Sequence, residues 1–443
     1  MMFSLIIAKF VLNVLRLMGK GATTLPGRIA LWLKPDILAK LSRNVQIVCV
    51  TGTNGKTTPC AFIEHYFKSN NFSYFVNKSG ANMISGVATA FVENSTLFGR
   101  CKKQLAVIEC DENSFPVISE FIKARVIVVT NIFRDQLDRY GEITHTLNKI
   151  RTAINNMPDA DLVLNADCPM TMSLANTCGN NTFFFGTDIN LKGAGVSDNL
   201  YCPVCSNALE YQTRSYAQLG NYICNNCNCR RPKLDFAVTD LICADEGGSS
   251  FLFSVCDKVY TTKINIGGIY NIYNFAGAGL TLLLLGAKKL TCLSTFNGSF
   301  GRMENFTYNS KNILLLLVKN PVGFSQCADY VSNIKGDFDM AFALNDKSAD
   351  GTDVSWIWDA NLDKLVAKAS TVFALGTRGW DMALRLKYNN IKISGVIEGE
   401  DYNKLISIIK DSDKDFVIFA TYTSMMEMRH LLIDNFGGKE FWK

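Results

Sequence analysis

Thr51-Gly52-Thr53-Asn54-Gly55-Lys56-Thr57-Thr58 follows the apolar run Ile47 to Val50, and the two stretches together decide the fold. A short buried run that stops at a glycine loop and continues into a helical pattern reads as strand, loop and helix start. Such a loop is a phosphate cradle. Its backbone N–H groups and the positive end of the following helix hold a triphosphate, Lys56 reaches the outer oxygens, and Thr57 ligates Mg²⁺. The expected ATP contacts therefore run from Gly52 through Thr58. The spacing departs from the common GxxxxGK[ST] form, because Val50 stands where the first glycine belongs.

Working outward, short β-rich runs recur at Leu105 to Ile108, Val126 to Thr130 and Leu162 to Leu164, with helix-like segments between them. This alternation predicts an α/β fold with a parallel sheet. After Asn190 the character changes to a cysteine-bearing segment, Tyr201 to Pro232, then to a β-like stretch through Ile266. Both are read as an insertion. Helical pattern returns at Tyr273 to Leu285. The apolar run Ile313 to Val318 then opens a smaller α/β domain, whose other strands are expected at Phe338 to Leu344, Thr371 to Leu375 and Phe416 to Phe419. The expected domains are 1–45, an amphipathic helical segment; 46–302, an ATP-binding domain with an insertion at about 199–233; and 303–443.

Composition bounds the partners. With 443 residues and 48% apolar content the chain exceeds one ordinary core. A net charge of +5 without a Lys/Arg-rich block gives no footprint for nucleic acid, and small-molecule or anionic-lipid substrates fit better. Fifteen cysteines, an odd number, without a convincing signal peptide point to a reduced, cytoplasmic protein. Met1 to Gly19 is amphipathic but too short and too charged to span a bilayer. It packs on its own domain or lies as a peripheral contact on a membrane surface.

Glu109 ends the run from Leu105, and the carboxyl end of a parallel strand is where ligands gather. With Thr57 it is the expected Mg²⁺ site; Asp111 and Glu112, which follow at once, read as lesser candidates or as a solvated turn. Cys202-x-x-Cys205 and Cys224-x-x-Cys227, with 18 residues between the pairs, give four thiolates for a structural Zn²⁺, with Cys229 as an alternative to Cys227.

The compact GTNGKT loop resembles that of the Mur ligase family, which forms amide bonds with ATP. Later elements match in order: Thr130-Asn131 leading to Asp135-Gln136-Leu137-Asp138-Arg139-Tyr140-Gly141, Asn165-Ala166-Asp167, Gly268 to Asn274, and Gly301-Arg302-Met303-Glu304. The resemblance implies ATP contacts at Asn271, Asn274 and Arg302. Gln136 replaces the family's histidine, and Lys192 is a weak counterpart for the family's carbamylated lysine. A zinc ribbon inside such a domain, with Asn345-Asp346-Lys347 through Asp353-Val354-Ser355-Trp356, is similar to the MurT branch of the family.

That resemblance implies a cytoplasmic ligase acting at the inner face of the cell membrane. It would amidate the D-glutamate α-carboxyl of lipid II through an acyl phosphate, with ammonia from a GatD-like glutaminase partner. The residues agree that a partner is needed: no G-x-C-x-G nucleophile turn occurs, and the chain holds only His65, His145 and His430. By the resemblance Lys56 and Asp353 are catalytic, Asp353 orienting the partner's histidine. The plainer reading has Asp353 cap the turn before Trp356. The rival activity is a Mur or folylpolyglutamate type of ligase that adds an amino acid to a UDP-linked or folate-like acceptor. A nucleotide-dependent scaffold without chemistry is the reading from another class.

Overall fold

A computed structural model describes residues 1–18, 21–77, 80–133, 143–190, 200–245, 248–296 and 303–437. Its centre is a nine-stranded sheet. The strands are β1 (Gln46–Thr51), β2 (Tyr74–Val76), β3 (Leu105–Glu109), β4 (Ala124–Val129), β5 (Asp161–Asn165), β6 (Thr182–Thr187), β9 (Phe236–Asp245), β10 (Gly248–Val255) and β11 (Lys258–Ile264). Their order is β11-β10-β9-β6-β5-β4-β1-β3-β2. From β2 to β9 every neighbouring pair is parallel, which explains why Ile47, Val48, Cys49 and Val50 are all buried: helices cover both faces. Winding reverses at β1, between β3 and β4, and a crevice at the carboxyl ends of strands belongs at that switch point.

The β-like stretch through Ile266, expected as part of the insertion, belongs to the sheet. β9 to β11 are part of the main sheet: Phe236 pairs with Phe185 of β6, and β10 and β11 extend the edge as antiparallel strands. Phe236, Phe251 and Phe253 pack on Phe275 of the helix Ile269–Leu284, which anchors this extension in the core. The cysteine-bearing segment leaves the sheet. It forms the hairpin β7 (Glu210–Tyr216) and β8 (Leu219–Ile223), with a small core of its own in which Cys202, Leu209, Tyr222 and Cys224 meet Ala166 and Met172.

Asp167 fastens that segment to the sheet. Fully buried, it accepts from the Tyr273 hydroxyl at 2.6 Å, the Thr187 N–H at 2.9 Å and the Arg231 guanidinium at 3.0 Å. Burial raises its pKa although Arg231 and Tyr273 pull the other way.

A second sheet, order β12-β13-β17-β14-β15-β16, holds β12 (Met303–Tyr308), β13 (Lys311–Leu317), β14 (Phe338–Ala343), β15 (Val372–Leu375), β16 (Gly395–Val396) and β17 (Asp415–Ala420). Along β13 the side chains alternate strictly. Leu314 and Leu316 enter a core with Phe324 and Trp356, whereas Ile313 and Leu315 enter one with Leu405 and Met428. This is a three-layer α/β domain.

Ahead of β1 lie the helices Met2–Leu17, Leu25–Leu33 and Ile37–Leu41. The first two pack on each other, and the second lies against Ile84–Glu93 so closely that only glycine fits at position 27. A Cβ there would sit 2.0 Å from the Ser85 carbonyl oxygen and 2.5 Å from the Thr89 nitrogen. Both obstacles are backbone, so Gly27→Leu should destabilise the fold by about 1–3 kcal/mol or more, read as a lowered denaturation midpoint. An unchanged midpoint would show that the helices can separate without loss.

Candidate nucleotide and metal sites

The loop after β1 is built by two glycines with positive φ, +123° at Gly52 and +74° at Gly55. Each is also sterically obligatory. A Cβ on Gly52 would lie 2.4 Å from Thr130 Oγ1, and one on Gly55 would lie 2.4 Å from Asn274 Oδ1. The loop is held from β4's exit as well: Asn131 accepts the Asn54 N–H at 3.0 Å through Oδ1 and donates to the Asn54 carbonyl at 3.0 Å. Thr53 is buried, and its hydroxyl exchanges hydrogen bonds with the Phe133 backbone. That side chain braces the loop and leaves phosphate contact to its backbone.

Beneath the loop sit two buried polar pairs. The Lys56 ammonium donates to Glu112 Oε1 at 2.9 Å and to the Gly52 carbonyl at 2.7 Å. Burial works against its charge, but Glu112, Asp111 and Glu109 outweigh that and hold its pKa above the usual lysine value. The Thr57 hydroxyl donates to Glu109 Oε2 at 2.8 Å. Glu109 is fixed in turn by Asn77, which pairs with its backbone at 2.8 and 2.9 Å, and by the Asn82 amide at 3.3 Å on Oε1. A hydroxyl beside a carboxylate at the switch point is a hard-oxygen donor set, which fits Mg²⁺. Glu112 is the residue that sequence reasoning undervalued: it is the ion-pair partner of Lys56 rather than part of a solvated turn.

A cleft of about 850 Å³ opens beside the loop. Asn54, Gly55, Thr58, Asn271 and Asn274 line one wall; Met303, Val322, Gly323, Gln326 and Cys327 line the other. Asn271 donates to the Gly267 carbonyl at 2.6 Å and accepts from the Asn274 amide at 3.2 Å, which orients both amides at the start of their helix. The walls meet at Asn54 and Asn320, whose amides lie 2.9 Å apart. Asn320 also caps the helix Pro321–Ser332 by accepting the Gly323 N–H at 2.8 Å. A cap with proline at N1 is legible in sequence; its contact with the loop is not. Arg302, Gln136 and Lys192 lie outside the described residues.

Asp353 is not among the cleft residues. It accepts the Ser355 N–H at 2.8 Å, which is the turn-capping arrangement, and stays partly exposed. Its loop is pinned by Asp350, which accepts the Thr423 N–H at 2.7 Å and hydroxyl at 2.5 Å.

The sulfurs of Cys202, Cys205, Cys224 and Cys227 lie within 4.8 Å of one another, and Cys229 is outside that group. A tetrahedral Zn²⁺ with thiolate bonds of about 2.3 Å needs sulfurs about 3.8 Å apart. The geometry fits such an ion. Hydrogen bonds from Asn207 lower Cys205 to about 5. Cys227 rises to about 12 despite the Cys229 backbone contact, under burial and its neighbouring sulfurs.

Known proteins agree with this architecture. The family model "Mur ligase middle domain" matches residues 50–227, and "MurT ligase C-terminal" matches residues 317–425. The chain is 38% identical over 428 residues to the lipid II isoglutaminyl synthase (glutamine-hydrolyzing) subunit MurT of Streptococcus pneumoniae, covering 95% of this chain and 94% of that one. It is 34% identical to the Staphylococcus aureus subunit of the same name, covering 98% of both. Among solved structures, a pseudomurein peptide ligase type C from Methanothermus fervidus superposes with a TM-score of 0.69 at 20% identity, covering 90% of this chain and 80% of that one. MurF ligase from Thermotoga maritima, in complex with ADP, gives 0.61 at 17% identity, covering 90% and 84%. These two show the shared fold.

Removing the Lys56 ammonium takes away the cation that faces buried Glu112. Lys56→Ala should therefore cost about 3–5 kcal/mol of stability, and adding Glu112→Gln should return part of it. Chemical denaturation of both variants checks this; equal stability of Lys56→Ala and the parent would mean the pair is not formed.

Proposed function

The chain belongs to the MurT family of Mur-type ligases, and on that premise we propose the reaction it performs. It is an ATP-dependent carbon–nitrogen ligase of peptidoglycan synthesis. Its acceptor is lipid II, whose stem-peptide D-glutamate carries a free α-carboxylate. That carboxylate attacks the γ-phosphorus of ATP, ADP leaves, and an acyl phosphate forms. Ammonia then attacks the acyl carbon and phosphate departs, leaving the amide of D-isoglutamine. The ammonia comes from a glutaminase subunit of the GatD type. The observation that carries this reading is 38% identity over 95% of the chain with a glutamine-hydrolyzing synthase subunit, in a chain that carries Lys56, Thr57 and Glu109 at the phosphate loop.

The chain's own groups have defined tasks. The loop from Gly52 to Thr58 cradles the phosphates, and Lys56 exchanges Glu112 and the Gly52 carbonyl for phosphate oxygens. Thr57 and Glu109 would hold Mg²⁺, which offsets phosphate charge when bound. Asn271 and Asn274 face the nucleotide in the cleft, and Arg302, outside the described residues, is assigned to ATP by the family resemblance alone. The cleft between the two domains keeps water from the acyl phosphate. Asp353 meets the glutaminase outside the cleft, where its carboxylate orients the histidine base of the partner's catalytic cysteine. Zn²⁺ on Cys202, Cys205, Cys224 and Cys227 is structural, because four protein ligands leave no open position.

Three outcomes follow. Co-expressed with a GatD-type glutaminase, the chain should convert the lipid II carboxyl to an amide by mass spectrometry only with ATP and glutamine present. Addition of an amino-acid mass without the partner would overturn the reading. In the Lys56→Ala, Glu112→Gln background amidation should be lost while the fold survives; retained turnover excludes Lys56 from phosphate binding. Asp353→Asn should abolish glutamine-driven turnover but leave ammonia-driven turnover near the parent rate. Loss of both would assign Asp353 to the ligase step.

A further inference from the structure

The helix Met2–Leu17 satisfies only half of its apolar surface. Leu5, Ala8 and Leu12 are buried against the protein. On the rest of the helix Phe3 is 68% exposed, Phe10 67% and Leu17 89%, with Ile6 and Val14 exposed between them. Positions 3, 6, 10, 14 and 17 recur at helical spacing, which makes them one continuous stripe. An amphipathic helix that merely covers its own domain would show water a polar face. This one shows a second apolar face.

A second element continues the surface. The tight loop Thr96–Arg100, closed by the Thr96 N–H to the Arg100 carbonyl at 2.7 Å, carries Leu97 and Phe98 at its tip, and Phe98 is 79% exposed. The loop lies against the start of the helix, since a Cβ on Gly99 would meet the Met1 side chain. Directly behind the apolar tip come Arg100, Lys102 and Lys103. Across residues 1–35 the charged residues are Lys9, Arg16, Lys20, Arg28 and Lys34, with no acidic residue before Asp36. The nearest carboxylate on the facing helix, Glu93, is paired with Arg16 at 2.5 Å.

We propose that this face, the stripe of Met2–Leu17 with the Leu97-Phe98 tip, docks on an anionic bilayer surface. Its aromatic and aliphatic groups enter the acyl boundary, and its basic flank meets acidic headgroups. No described helix is long and apolar enough to cross a membrane, so the contact is interfacial. Charge complementarity favours a lipid surface over a second copy of the chain, whose matching face carries the same positive sign.

The location suits a lipid-linked acceptor, and this part of the inference rests on the lipid II reading above. The helix Ile84–Glu93 joins the two places. Asn82, just before it, donates to Glu109 at the metal site, and Glu93 at its end holds Arg16 of the docking helix. Ten residues of helix span about 15 Å. One helix thus links the residue that fixes Glu109 to the element that carries the docking face, which suits an acceptor whose tail stays in the bilayer.

Cosedimentation of the full chain with vesicles tests this without nucleotide, acceptor or partner, so it can fail while the amidation reading stands, and the reverse. Vesicles of phosphatidylcholine mixed with phosphatidylglycerol should retain the chain, more weakly as salt rises, and phosphatidylcholine alone should retain it poorly. Phe10→Asp with Phe98→Asp should lower partitioning about tenfold or more. Lys102→Glu with Lys103→Glu should remove the preference for anionic lipid. An unchanged thermal midpoint shows that these exposed substitutions leave the fold intact. Absence of binding to either vesicle, or equal binding by the aspartate variant, overturns the proposal. Concentration-dependent self-association that Phe10→Asp removes, without vesicle binding, assigns the face to a second copy instead.

Discussion

A lysine ammonium buried under a glycine loop is the constraint around which the central domain is arranged. Lys56 faces Glu112 directly and lies in the field of Asp111 and Glu109. Three carboxylates against one ammonium exceed neutrality, and that imbalance favours a further cation at the site. The carboxylates come from the end of β3 and the turn after it, the lysine from the turn after β1. Only parallel neighbours that finish at the same edge bring them together. Sheet topology is thus part of the electrostatics.

The second domain contributes less charge and more shape. Asn320 caps its own helix with one oxygen and meets Asn54 of the phosphate loop with its amide, so one side chain reports the position of one domain to the other. The cleft wall it begins, Val322 to Cys327, is mostly apolar or neutral, which suits a heterocycle better than a phosphate. Val322 at the start of that wall packs into the core of the central domain, so the amide pair is backed by apolar contact.

What was legible in the sequence was local. β1, the glycine loop and the helix after it follow from a buried run, two glycines and a threonine pair, and each lies where its residues predict. Glu109 is placed by the same logic. Glu112 was not, because acidic residues after a strand produce the same string whether they face water or a lysine 56 positions away. β9 to β11 follow the cysteine-bearing segment and alternate apolar with polar residues, and nothing in their own pattern reveals that β6 is the neighbour of β9. Spacing admits either Cys227 or Cys229 beside the other three cysteines; backbone geometry brings Cys227 into the group. The short β2 carries too few residues to announce a period.

The ribbon is an excursion with a cost in chain entropy. The backbone leaves the sheet at Thr187 and must return beside it at Phe236, adjacent in register to Phe185. Closing that loop restricts the unfolded chain by an amount that grows with the logarithm of its length. The Arg231–Asp167 pair at its base shortens the effective loop, and a metal held by the cysteine cluster would shorten it further. A chain without the metal would face a larger closure cost at the strand pairing between β6 and β9, on which the outer third of the central sheet is hung. The ribbon then acts as a tether that sets how cheaply the edge of the sheet can form, far from any chemistry at the phosphate loop.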